Sequence, residues 1–341
     1  MNKDFEGLAG HWGEWAGVPA LLEGPDEKGL YRALREDRGL LLSNHLGTLR
    51  VHGKDAADYL QRMTSQDCMG MGVGEGGSAC LLSGKGKLLA FFDVFREGEE
   101  AFLLLGQREL MPKVREHLDL FHFREEMRLG EVEESRMLGV FGEKAGEEFE
   151  WAGEFRLGTK GSMQALGLGG WVVPGFLLLG PDAELRAFLE GAVQGGVLYG
   201  GVQAWEGLRI DSRLPRYGVD ADETNLPLEV RLDAACHPDK GCYVGQEVVA
   251  RIRNLGHVNR LLCLLRGEGD ELPGRGTLLF DEDLEAGRVT SAYQVPGSRE
   301  LHLLALLPRV LSAPGTEVSL GAEEGPLFEV VEPEGLRSFS S

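Results

Sequence analysis

The chain reads as an α+β protein that ends in a small all-β barrel. Strand-length apolar runs and stretches of helical period alternate twice over, which fits two successive α+β units built on antiparallel sheets. From about His257 the texture changes. Short runs ("NRLLCLLRG", "GTLLF", "GRVTSAY", "LHLLALL", "EVSL") are set off by Gly and Pro turns, a spacing that predicts a barrel. At 341 residues the chain has room for a large core and for two or three domains.

Each element has its own signal. "DAADYLQRM" combines helical apolar spacing with Asp55 as a candidate N-cap. In "SACLLSGKGKLLAFFDVFREGEEAFLLLG", Ser78 to Gly106, the turns "SGKG" and "EGEE" separate three apolar runs, so a meander of strands is expected. "RELMPKVREHLDLF" from Arg108 has helical periodicity. The second unit follows with strand-like "MRLGEV" and "RMLGVFG", an acidic linker "EKAGEEFEWAGE", a strand in "WVVPGFLLLG" from Trp171 and a helix "DAELRAFLEGA" from Asp182. "GGVQAWEGLRIDS" reads as a further helix, and "GQEVVARIR" as another. No tandem repeat or low-complexity tract interrupts this order.

Composition narrows the function. A formal net charge of -20 argues against general affinity for nucleic acid or an anionic membrane, because both require clustered cations. The N-terminus lacks a basic start followed by an apolar core, and the longest apolar runs are too short to cross a bilayer, so a cytoplasmic protein is expected. The 50 glycines imply many turns. Five cysteines, an odd number without CxxC spacing, point to free thiols in a reducing compartment.

The stretch with most chemistry is "KGCYVGQEVVAR", Lys240 to Arg251. Cys242 follows Lys240 by two residues and precedes a helix, and a nearby cation and a helix N-terminus both favour a thiolate. Cys68, Cys80 and Cys263 sit in apolar or turn contexts and read as small buried hydrophobes. Lys240 suits an anion anchor as well as a solvated surface charge. Gln246 and Glu247 suit a helix cap and first-turn carboxylate as well as a binding pair. "CHPDKGC" gathers Cys236, His237 and Cys242, but the spacing matches no paired-ligand knuckle, so no preformed metal site is expected. "GEGG" and "SGKGK" do not fit a phosphate loop and read as hairpin turns. No GxSxG elbow supports a serine nucleophile. His45 reads as a satisfied structural histidine.

These residues resemble the YgfZ proteins, within the folate-binding superfamily of the glycine-cleavage T-protein. "KGCYVGQEVVAR" is similar to the YgfZ signature. "SNHLGTLRVHGKDAADYLQRMTSQD", "LRIDSRLPRYGVDADETNLPLEV" and "AGRVTSAYQ" with "LHLLALLPRVLSAPGTEV" resemble the N-terminal, central and barrel segments, in order and over nearly the whole chain. The resemblance implies a three-domain cloverleaf, two ferredoxin-like α+β modules and a C-terminal β-barrel, around a channel for tetrahydrofolate. The implied boundaries are 1–125 with 196–252 for a discontinuous first domain, 126–195 for the middle one and 255–335 for the barrel. Folate contacts are implied at Asp211, Tyr217, Gln246, Glu247, Arg251 and Asp93.

One departure bears on activity. In the aminomethyltransferases an aspartate pair follows the glycines of the meander, and one of the two is catalytic. Here Ala90 and Phe91 stand at that point. Asp93 shares the face of Phe91 but lies one strand repeat further, about 6–7 Å, which disfavours aminomethyl transfer because positioning dominates such chemistry. The second departure is Asp211, one methylene shorter than the folate-contacting Glu it matches. The resemblance therefore implies a folate-dependent accessory protein for the assembly or repair of iron-sulfur enzymes, with Lys240 and Cys242 as a reactive motif at the channel mouth and Cys242 as a transient cluster contact. A one-carbon transfer enzyme using Asp93, and a folate-storing module without a reactive thiol, are the alternatives.

Overall fold

Alternation along the meander decides how its sheet packs. The computed structural model describes residues 7–133, 137–148 and 153–334. The strands Gly76–Leu82, Leu88–Gly98 and Ala101–Gln107 pair antiparallel as expected, and Leu46–His52 and Arg128–Glu133 complete a five-stranded sheet in that order. Ala79, Leu81, Ala90, Phe92 and Val94 point to one face, where they pack on the helices Ala56–Met63 and Met111–Leu120. The other face carries Phe95, Leu103, Leu105 and Leu46 and meets the second sheet.

That second sheet has six strands in the order Leu157–Lys160, Met163–Leu168, Gly175–Leu179, Met137–Phe141, Gly39–Leu42 and Leu198–Gly200. Its outer face packs on the helix Asp182–Gln194, and its inner face brings Leu41, Phe141 and Leu177 against the first sheet. Two strands depart from the sequence reading. Arg128–Glu133, which follows the first meander and was expected in the second unit, pairs with Leu46–His52. Gly39–Leu42 belongs to the six-stranded sheet, between Met137–Phe141 and the parallel strand Leu198–Gly200. The chain thus passes between the sheets more than once.

Three smaller differences have simple causes. The strand expected from Trp171 begins at Gly175, since Pro174 has no N–H to give to the ladder. Asp55 occupies the N-cap position but makes no cap bond; its Oδ2 accepts from the Glu126 N–H at 2.7 Å. A hairpin, His11–Trp15 with Val18–Glu23, turns at Ala16 and Gly17, both at positive φ. Part of the acidic linker, residues 149–152, lies outside the described residues.

The C-terminal strands close the expected barrel in the order Arg260–Glu268, Glu300–Pro308, Leu284–Gln294, Leu278–Asp281, Glu317–Leu320 and Leu327–Val331, the last pairing back to the first. Its interior holds Cys263, Leu265, Val289, Leu303 and Phe328. The helix Val202–Asp211 lies between the sheets and the barrel and is buried nearly all round. At Gly207 a Cβ would stand 2.6 Å from the Tyr293 ring, so only glycine lets barrel and helix approach this closely. Among the described residues, no helix is long and apolar enough to cross a membrane.

Candidate functional site

The inner faces of the two sheets do not fill the space between them. A cavity of ≈ 150 Å³ remains, walled by Phe91, Leu105, Leu168, Leu177, Trp171 and Trp205. Such a volume takes a single ring system rather than a long ligand. Trp171 and Trp205 stand edge to face with centroids 4.8 Å apart.

Asp93 is the carboxylate on this wall. Ser78, Asp93 and Leu105 are register partners on three neighbouring strands, so all three side chains share the face that lines the cavity. Ser78 Oγ donates to Asp93 Oδ1 at 2.6 Å. Protein surrounds Asp93, which stays open only toward the cavity, and this burial pushes its carboxyl up to about 6, against the lowering effect of Ser78. The group therefore changes charge just below neutral pH and can accept a ligand N–H or exchange a proton.

Arg209 also reaches the cavity, from the helix Val202–Asp211, one turn beyond Trp205. Its charge is already committed. It donates to Glu206 at 2.9 and 2.7 Å, to Asp220 at 2.7 Å, to the Leu214 carbonyl at 2.7 Å and to Ser291 Oγ at 2.8 Å. Arg209 is thus a clamp between helix, loop and barrel.

His45 differs from its expected satisfied state. It is buried, at 7 % exposure, and neither ring nitrogen has a hydrogen-bond partner among the described residues. Its ring stands edge-on to Trp205 at 4.9 Å. Burial, with Arg216 and Arg209 adding to it, pushes its pKa down to about 3, so the imidazole is neutral.

The residues singled out from sequence do not converge. Asp93 lines the cavity, and Tyr217 stands beside it, its ring against Phe91 with centroids 6.2 Å apart. The Tyr217 hydroxyl accepts from Lys113 Nζ at 3.0 Å and donates to Glu223 at 3.2 Å. Asp211 faces elsewhere. Two helical residues beyond Arg209 it points to the opposite side, where it pairs with Arg35 and with His302 Nδ1. Each oxygen has a partner there, away from the cavity.

Lys240 also lies away from the cavity. It is 6 % exposed, and its ammonium donates to the carbonyls of Gln61, Thr64 and Gln66, each at 2.6 Å. Three acceptors use all three of its N–H bonds. Burial pushes its pKa down to about 8. The lysine is an internal tie to the end of the helix Ala56–Met63. Cys242 is exposed, whereas Cys68, Cys80, Cys236 and Cys263 are buried. The following helix, Gln246–Leu255, starts from Gly245 at φ 82 and leaves Glu247 and Arg251 exposed. No residue from 240 to 251 lines the cavity.

Ser78, Trp171, Trp205 and Arg209 were not identified from sequence. The period-2 face shared with Asp93 marks Ser78 only once the strand pairing is known. The tryptophans and Arg209 come from segments remote in sequence and carry no local motif.

No family model matches the chain. An aminomethyltransferase of Exiguobacterium sibiricum is 25% identical over 306 residues, covering 85% of this chain and 83% of that protein. An aminomethyltransferase of Rubrobacter xylanophilus is 26% identical over 332 residues, covering 90% and 86%. An uncharacterized protein of Haemophilus influenzae is 25% identical over 258 residues, covering 73% and 82%. The crystal structure of the glycine cleavage system aminomethyltransferase T from Bartonella henselae superposes with a TM-score of 0.81 at 20% identity, covering 96% of this chain and 95% of that one. Over most of its length the chain is thus similar in sequence to aminomethyltransferases, and it shares the fold of the glycine-cleavage T-protein.

Proposed function

We propose that the cavity binds the pteridine end of a reduced folate, and that the protein is a folate-dependent accessory factor for the assembly or repair of iron-sulfur enzymes. The observation that carries the folate reading is Asp93, an acid without a cationic partner among the described residues, set in a wall of aromatic rings. A flat, apolar heterocycle with N–H donors on its edge matches such a wall, by stacking on Phe91, Trp171 or Trp205 and by donating to the carboxylate. The cavity takes the ring system, and the acidic tail extends outward. The similarity to aminomethyltransferases in sequence and fold supports the same ligand class. Asp93 takes the recognition role that Asp211, held by Arg35 and His302, does not offer.

The accessory role rests on Cys242, the exposed thiol among the five. It stands on a loop fixed from below by Lys240, so it is presented to a partner rather than to the cavity. A soft sulfur on the surface suits transient contact with a client's cluster or thiol. Gene deletion followed by complementation with wild type and Cys242→Ser tests this. The expected result is depressed activity of cluster-containing enzymes, intact glycine cleavage, and rescue by wild type but not by Cys242→Ser. Normal cluster enzymes in the deletion strain would count against the role.

A second reading, one-carbon transfer, is favoured by Asp93 itself, since an acid raised to about 6 is suited to proton transfer. Turnover of an aminomethyl-lipoyl carrier with tetrahydrofolate, lost in Asp93→Ala, distinguishes it.

A further inference from the structure

Two thiols that play no part in the reading above meet inside the protein. Cys80 lies on the strand Gly76–Leu82 and pairs with Phe91 of the cavity wall. Cys236 lies between Leu232, another wall residue, and Lys240. Both are fully buried in one apolar cluster.

Ser65 clamps the two segments together. Its N–H donates to the Cys80 carbonyl at 3.0 Å, and its Oγ accepts from the Cys80 N–H at 2.8 Å. The same hydroxyl donates to the Ala235 carbonyl, and the Ser65 carbonyl accepts from the His237 N–H at 2.9 Å. Four hydrogen bonds therefore fix the backbones on either side of the pair.

The Ser65 hydroxyl bridges the Cys80 N–H and the carbonyl of Ala235, the residue before Cys236, so the two thiols are neighbours in the cluster. Interaction with Cys80 lowers the pKa of Cys236, while burial, followed by the interaction with Cys236, raises Cys80 well above the ordinary thiol value. Cys236 is the first of the two to ionise, and Cys80 keeps its proton. The remaining cysteines are elsewhere: Cys68 in the helix-covered core, Cys263 inside the barrel, Cys242 on the surface.

We propose that Cys80 and Cys236 are a redox-active dithiol, which oxidants of the peroxide class close into a disulfide that cross-links the cavity wall to the segment carrying Lys240 and Cys242. The Cys236 thiolate attacks one peroxide oxygen, the O–O bond breaks, and the leaving hydroxide takes a proton to become water. Cys80 sulfur then attacks the Cys236 sulfenic acid. The S–S bond forms, the S–O bond breaks, and a second water leaves with the Cys80 proton. Two thiols lose two electrons and two protons to one peroxide, giving one disulfide and two waters. The pair does not depend on the folate reading.

The test oxidises the folded full-length protein with hydrogen peroxide, quenches it in acid, and maps disulfides by mass spectrometry without reduction. The expected result is a Cys80–Cys236 linked peptide. Alkylatable thiols after denaturation should fall from five to three in the molecules that carry the link. Cys242→Ser, which removes the surface thiol and keeps the pair, should give the same link. Circular dichroism should show the fold retained. Oxidation confined to Cys242, with Cys80 and Cys236 still alkylatable after denaturation, would overturn the proposal, as would a Cys236–Cys242 bridge in place of the Cys80 link.

Discussion

Ser78 and Asp93 face each other across neighbouring antiparallel strands, and the Ser78 hydroxyl is the hydrogen-bond donor found for the Asp93 carboxylate among the described residues, at 2.6 Å. A serine alone does not offset the burial of a carboxylate, which leaves Asp93 raised to about 6 from an ordinary 3.8. The fold therefore favours protonated Asp93. Below about pH 4 the unfolded chain holds the proton too, and no penalty exists. The penalty grows between about pH 4 and 6 and is constant above, at up to about 3 kcal/mol, less to the extent that water enters the cavity. Asp93→Asn should be more stable than wild type at about pH 8 and equal to it near pH 4. Denaturant midpoints at the two pH values check this. An equal gain at both would mean that the carboxylate is not under strain.

Lys240 and Cys242 should separate cleanly in stability. Lys240→Met strips partners from three carbonyls, at a cost of about 2–4 kcal/mol. Cys242→Ser, on an exposed loop, should stay within about 0.5 kcal/mol. Urea titrations of both variants measure the difference. Comparable losses would contradict the division into an internal tie and a presented thiol.

Cys242 should be the first of the five thiols to be alkylated in the native protein, because the other four are buried. Site-resolved mass spectrometry after brief iodoacetamide treatment reads this directly. First labelling of Cys68 or Cys263 would contradict the described packing.

His302 should make the junction between helix and barrel pH-dependent. Burial opposes its charge, but the hydrogen bond and negative charge of Asp211, with help from Glu300, raise its pKa above the ordinary 6.5. A raised histidine stabilises fully below about pH 6.5, and its contribution is lost as pH rises through the higher folded value. Wild type should exceed His302→Gln by about 1–3 kcal/mol at about pH 5.5, with the gap shrinking toward about pH 9. Thermal melts across that range test it. A gap that widens with pH would reverse the assigned sign.

The sequence was most legible where a local period decides structure. The Ser78–Gly106 meander, the helices near Asp55, Met111, Asp182, Val202 and Gln246, and the barrel strands all follow from spacing and turn residues. Partners distant in the chain were not legible. Arg128–Glu133 and Gly39–Leu42 carry no mark of which sheet they join, because register depends on long-range pairing. The site divides in the same way. Asp93 was identifiable from alternation with Phe91. The fate of Asp211 was not, because Arg35 and His302 reach it from a helix and a strand far away in sequence. The burial of Lys240 was not legible for the same reason: proximity to Cys242 in sequence does not show that its ammonium turns inward to Gln61, Thr64 and Gln66.

The folate ring is proposed to sit in the Asp93 cavity rather than against the segment from Lys240 to Arg251. Trp171 and Trp205 line the cavity and supply an intrinsic fluorescence signal. Tetrahydrofolate titrated anaerobically into the wild-type protein should quench that fluorescence saturably. Asp93→Leu should weaken binding at least about tenfold, equivalent to about 1.4 kcal/mol, while Glu247→Gln, on the exposed helix, should bind as wild type does. Absence of saturable quenching, or an Asp93→Leu affinity equal to wild type beside a weakened Glu247→Gln, would contradict the account.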